Sequence, residues 1–93
     1  MIIGLLRTDI LIPGCQSLKD KRSVVKKHLH RIRRTYNAAV AETDFTDKWR
    51  RAELSFVSIN SKREVVEKTL GKILRELETG GDIQLLGQRI EIL

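Results

Sequence analysis

Between Lys19 and Arg34 the chain carries eight lysines or arginines and one acid, Asp20, a net of +7. The other residues hold ten bases against eleven acids, a net of −1, so the basicity of the whole protein lies in this one segment. Closely spaced ammonium and guanidinium groups are suited to binding a polyanion, through charge-assisted bonds to phosphate or carboxylate oxygens. The segment SLKDKRSVVKKHLHRIRRTY, Ser17 to Tyr36, has helical periodicity. On a wheel turning about 100° per residue, Val25, Leu29, Ile32 and Tyr36 fall within roughly 40° of Leu18. Lys19, Lys26, Lys27, His30, Arg31, Arg33 and Arg34 fall roughly between 60° and 220°, on the other side. Ser17 with Asp20 three residues on has the form of a capping box, with the carboxylate at the positive end of the dipole.

Other residues are weighed for other chemistry. Cys15 precedes the basic helix, where backbone N–H groups can hold an anion and lower a thiol pKa. A phosphatase-type loop needs an arginine six residues after the cysteine, but position 21 is Lys and Arg22 comes one residue too late. The run Gly14-Cys15-Gln16-Ser17 has too few glycines for a nucleotide-cradling loop. A small acyl or phosphoryl hydrolase using Cys15 or Arg22 is therefore the remotest reading, and the chain is expected to be non-catalytic. His28 and His30 are two apart on a helix and diverge, so they form no metal pair. His28 is expected on the helix flank and His30 on the cationic surface. Asp44 and Asp47 offer a hard cation too few ligands. No metal or cofactor is expected. Trp49, the only tryptophan, lies beside a polar turn with Lys48, Arg50 and Arg51 around it and Glu42 and Asp47 nearby. Such a group could stack an unpaired base, or the indole could fold back to close one end of the core.

Six elements must position these residues. Ile2 to Ile12 has the near-continuous apolar character of a central strand and stops at Pro13-Gly14. The basic helix follows, then a weaker strand, Ala38 to Phe45. A polar turn at Thr46-Asp47-Lys48 leads to a third strand, Ala52 to Asn60. Ser61-Lys62-Arg63-Glu64 reads as a second capping box, opening a helix whose buried stripe is Val66, Leu70, Ile73 and Leu77. Gly80-Gly81 ends that helix, and Ile83 to Leu93 is a last strand, kinked or bulged at Gly87. The order βαββαβ implies an α+β, ferredoxin-like split βαβ fold. Its sheet has four antiparallel strands in the order 4-1-3-2, with both helices on one face of a single domain, 1–93.

In RNA-recognition modules of this topology, bases stack on aromatics of the two central strands. Here the outward positions are Ile3, Leu5, Arg7, Ser55, Val57 and Ile59, with no ring among them. That apolar face instead suggests a homodimer. RNA contact is expected through Lys19, Arg22, Lys26, Lys27, His30, Arg31, Arg33 and Arg34, with Trp49, Arg50 and Arg51 of the hairpin. The rival is an interaction module whose basic helix docks on an acidic protein. The apolar start MIIGLL is broken by Arg7 and Asp9, so it is neither a signal peptide nor a membrane span, and the expected compartment is the cytoplasm. The lone cysteine fits that setting.

The chain resembles the YlxP-like family of small, uncharacterised bacterial proteins over nearly its whole length. The resemblance is carried by Leu6-Arg7 and by Pro13-Gly14 followed by Ser17-Leu18-Lys19-Asp20-Lys21-Arg22. It continues in Val40-Ala41-Glu42, Asp47 with Trp49, Arg51-Ala52, and Glu91-Ile92-Leu93. It implies a ferredoxin-like fold in the bacterial cytoplasm. It also implies a gene set among those for transcription-elongation, translation-initiation and ribosome-maturation factors, hence work on RNA or on the small ribosomal subunit. Around Thr43 to Thr46 the chain departs from the usual family form, so the resemblance implies no role for that turn.

Overall fold

A computed structural model describes all residues, 1–93. The elements are β1 (Ile2–Leu11), α1 (Leu18–Thr35), β2 (Ala39–Asp44), β3 (Arg51–Asn60), α2 (Arg63–Glu78) and β4 (Gln84–Ile92). The sheet runs β2-β3-β1-β4, every neighbouring pair antiparallel, which is the expected ferredoxin-like order. The apolar β1 is indeed central, with β3 and β4 on either side of it. Its ladder pairs Leu6 with Phe56, Thr8 with Leu54 and Ile10 with Ala52. All six of these side chains are buried, so they define the inner face of the sheet.

Both helices close that face. Val25 and Ile32 of α1 join Val66, Leu70, Ile73 and Leu77 of α2 in one core with Leu6, Ile10, Leu54 and Phe56. The one polar side chain that β1 sends inward, Thr8, donates its hydroxyl to the Leu54 carbonyl at 2.9 Å, which removes the cost of burying it. The ladder between β1 and β4 jumps from Asp9–Gly87 to Ile10–Leu85, so Leu86 is the extra residue of a bulge. The expected irregularity at Gly87 is therefore real, one residue earlier. A second bulge at Thr43 interrupts β2 against β3.

The two helix starts differ. At α1, Ser17 is the N-cap and its hydroxyl accepts the Asp20 N–H at 3.0 Å. The Asp20 carboxylate reaches back to the Gln16 N–H at 3.3 Å, one residue beyond the position a strict capping box uses. At α2 the expected box of Ser61 with Glu64 does not form. Lys62 takes the N-cap position without a side-chain bond. Asn60, at the end of β3, accepts the Lys62 N–H at 3.0 Å, the short amide bonding its own backbone two residues on. That turn places the Ser61 hydroxyl beside the side-chain Oδ1 of Asn60 instead of the helix end.

The helical layer lies close against the sheet at Gly4. A Cβ there would stand 2.4 Å from Val66 Cγ1 and 2.9 Å from Leu70 Cδ1, both buried on α2. Gly4→Ala must therefore lift α2 from β1. Overpacking of this kind costs about 1–3 kcal/mol, to be read as a lowered urea midpoint at unchanged m-value; wild-type stability in the variant would disprove the close approach.

Candidate nucleic-acid interface

Helix α1 sorts its bases into two groups. The buried residues of the helix are Lys21, Val25, His28 and Ile32. The spacing 21-25-28-32 is itself helical, so the buried stripe is rotated from the expected one. Leu18, Leu29 and Tyr36 flank it, half-buried, and two of its four positions are polar. The expectation that His28 lies on the flank is thus corrected, while His30 is exposed as expected.

Each buried polar group has a partner brought by another element. Lys21 is fully buried, with its Nζ 2.6 Å from Glu42 Oε2 on β2 and 2.5 Å from the Phe45 carbonyl oxygen. Glu42 Oε2 makes no hydrogen bond of good angle, so charge holds that contact. His28 Nε2 donates to Asp82 Oδ1 at 2.7 Å, and Lys27 Nζ donates to Asp82 Oδ2 at 2.5 Å. Asp82 sits just before β4, so this cluster fastens α1 to the connection between α2 and β4.

The remaining bases of α1 are free. Lys19, Arg22, Lys26, Arg31, Arg33 and Arg34 are exposed and enter no salt bridge. Arg22, Lys26, His30 and Arg33 border an open groove of about 320 Å³ between α1 and the edge strand β2. Val25 and Leu29 contribute apolar surface to it, and Glu42 is its one acid. Of the expected α1 set, the structure commits Lys27 to Asp82, and Arg31 lies toward the opposite flank from Arg22. The other six predicted residues form a continuous cationic surface with Arg22 at its inner edge. From Lys19 to Arg34 it spans roughly 22 Å, the length over which one strand of a duplex carries about six phosphates.

The hairpin between β2 and β3 is tied down. Phe45 has φ +59°, a left-handed conformation unfavourable for a bulky residue. Its N–H is bonded by Asp44 Oδ1 at 2.7 Å, and its carbonyl accepts Lys48 N–H at 3.0 Å as well as the Lys21 ammonium. Arg51 stacks over the Phe45 ring at 4.3 Å and holds both oxygens of Asp9, at 2.7 and 3.1 Å. Arg50 Nε donates to the Cys15 carbonyl at 3.0 Å. Two of the predicted hairpin contacts, Arg50 and Arg51, therefore also brace the fold. Trp49 is not folded back into the core and remains 53% exposed.

Cys15 is 2% exposed. Burial pushes its thiol up, and the charge of Asp20 adds to that against the opposing Lys21 and Arg50. A nucleophile requires the reverse. The groups that sequence reasoning missed are Lys21 and His28, and their signal was the 21-25-28-32 spacing. Asp82, hidden after the glycine pair, had none.

Asp82 also gives the stability of the fold a pH dependence. Burial pushes its carboxyl up, but the hydrogen bonds and charges of Lys27 and His28 outweigh burial and hold it below the ordinary 3.8. A lowered folded value means that the stabilisation is complete above the unfolded value and lost as pH falls through the folded one. Urea denaturation of the wild type should show stability falling with acidification below about pH 4. Asp82→Asn should be less stable at neutral pH and flatter across this acid range; equal slopes for the two proteins would refute the cluster.

The match to known proteins is close to full length. Residues 3–90 match the model of a family described as protein of unknown function (DUF503). The chain is 29% identical over 90 residues to the uncharacterized protein YlxP of Bacillus subtilis (strain 168), covering 97% of this chain and 98% of that protein. No helix is long and apolar enough to cross a membrane. With the ferredoxin-like fold and a family match spanning nearly all of β1 to β4, this chain belongs to the DUF503 family, to which the YlxP-like resemblance of its motifs had pointed.

Proposed function

We propose that the protein is a non-catalytic RNA-contacting accessory factor, working in the cytoplasm on the small ribosomal subunit or its precursor. The observation that carries this reading is the row of exposed bases on α1 that no carboxylate of the chain neutralises, Lys19, Arg22, Lys26, Arg33 and Arg34, with His30 among them. A surface of this kind positions a protein on phosphates without reading sequence. The choice of ribosomal RNA rests on the gene setting that the family resemblance implies. The buried Cys15 thiol, pushed up and away from the thiolate, supports a role without catalysis. With about six phosphates neutralised, binding to small-subunit RNA fragments should weaken with salt at a log–log slope of about −4 to −5. Joint replacement of Lys19, Lys26, Arg33 and Arg34 by Gln should flatten that slope by about 3. A flat wild-type profile, or an unchanged slope in the variant, would sink the reading.

One observation favours a second role, as a homodimer through the outer face of the sheet. Ile3, Leu5, Val57 and Ile59 share that face, with Val57 39% and Ile59 45% exposed. Its charges carry no cationic excess: Arg7, Arg51 and Arg89 stand with Asp9, Glu53 and Glu91, and Asp44 is paired with Glu53, on a chain whose net charge is +6. A second copy of so basic a protein is repelled by α1 but not by this face. Light scattering should give a dimer mass for the wild type at high concentration and a monomer mass for Val57→Glu with Ile59→Glu; a monomeric wild type would refute it.

A further inference from the structure

We infer that the cleft of the β2–β3 hairpin is a stacking site for one unpaired nucleobase, purine preferred, with the indole of Trp49 as its platform. This rests on the RNA-contacting reading above and gives it a second point of attachment, one that distinguishes unpaired from paired RNA.

The cleft measures about 540 Å³ and is lined by Phe45, Lys48, Trp49, Arg50 and Arg51. It gathers two of the four aromatic residues of the chain with three bases and no acid. A base offers a π-face to stack and carries its own phosphate, so it matches both halves of this lining. Inside a duplex both faces of a base are already covered, which limits the ligand to a loop, bulge or single strand. A purine covers more of an indole than a pyrimidine does, hence the preference.

The division of labour within the cleft supports a site already shaped for a ligand. Arg51 is held by Asp9 and over Phe45, and Arg50 is bonded to the Cys15 carbonyl, so both are fixed walls. Lys48 and Trp49 are exposed, and Lys48 enters no salt bridge. The left-handed backbone of Phe45 is maintained by the fully buried Lys21 ammonium on its carbonyl. Strain of this kind persists only where its surroundings enforce it. The same ammonium places the cleft beside the first turns of α1, next to Arg22 in sequence. A strand whose phosphates follow Arg33, Lys26 and Arg22 along the helix thus arrives at Trp49.

Trp49 is the only tryptophan, so its emission reports on the site directly. The probes are a fluorescein-labelled adenine decamer, an abasic decamer of the same length and a polyglutamate of equal charge, followed by anisotropy and by indole emission. Under the proposal all three bind in low salt, but only the adenine decamer quenches the indole. Trp49→Ala lowers affinity for the adenine decamer about 5- to 150-fold, the range of one base stack. It leaves the abasic affinity unchanged, and Trp49→Phe recovers most of the loss. Binding of the adenine decamer without quenching, or equal losses for the abasic strand, would overturn the stacking site and leave the phosphate-binding helix standing. Quenching by polyglutamate equal to that by RNA would overturn it in favour of an acidic protein ligand. Absence of salt-dependent binding to either nucleic acid would overturn both readings.

Discussion

A single buried ammonium organises this domain. Lys21 leaves water entirely, which costs several kcal/mol for an ion of its size unless attraction and hydrogen bonds offset it. The offset comes from Glu42 on the edge strand and from the carbonyl of Phe45 in the hairpin. Both partners lie more than twenty residues away in sequence, so the contact exists only when α1 has docked over β2. Removing one partner would leave the other charge buried, a loss typically of about 3–5 kcal/mol. The contact is thus best seen as a register pin. It fixes which side of α1 faces the sheet, and so which bases face solvent.

That pin carries a consequence for electrostatics. Lys19, Arg22 and Lys26 follow one another at spacings of three and four residues, as do Lys27, Arg31 and Arg34, and like charges so placed on a helix repel. An isolated helix of this sequence would be weakened along those rows. The domain holds it instead at two points, by Lys21 near the start and by Lys27 and His28 on Asp82 at the middle. The bases that stabilise the fold and those left for a partner therefore alternate along one helix, and the fold sets the division.

The element order and the strand order were legible because they depend on local signals. Proline-glycine and glycine-glycine breaks, alternation in β3 and the Ser17 cap each act within a few residues. What local signals misjudged was the rotation of α1. Counting Leu29 and Tyr36 as the apolar centre is reasonable when lysine and histidine are assumed to face water. Burial of Lys21 and His28 depends on Glu42, Phe45 and Asp82, partners that only the tertiary fold supplies. The Ser61 box failed for a different reason. Asn60 competes for the same turn with a shorter reach to the backbone, and two good capping residues in succession leave the winner undetermined by sequence. For the candidate interface, the cationic identity of α1 was readable from charge counts alone, whereas the bracing roles of Arg50 and Arg51 were not.

The confinement of charge follows from the same layout. Helix α2, Arg63–Glu78, holds four bases and four acids and is neutral, and the outer sheet face has no cationic excess either. The two helices lie side by side over one face of the sheet, so a polyanion approaching the helical layer meets attraction on α1 and none on α2. Screening at physiological salt, with a Debye length of about 8 Å, keeps the field of α1 from extending across its neighbour. On the proposed RNA-contacting reading, a strand would therefore lie along α1 rather than across the two helices. Near the N-terminal end of α1, the Lys21 contact with the Phe45 carbonyl brings in the hairpin with its basic cleft. The residue that orients the helix thus also fixes where the hairpin cleft stands relative to it, and in the proposed reading that sets the direction in which a strand would leave α1.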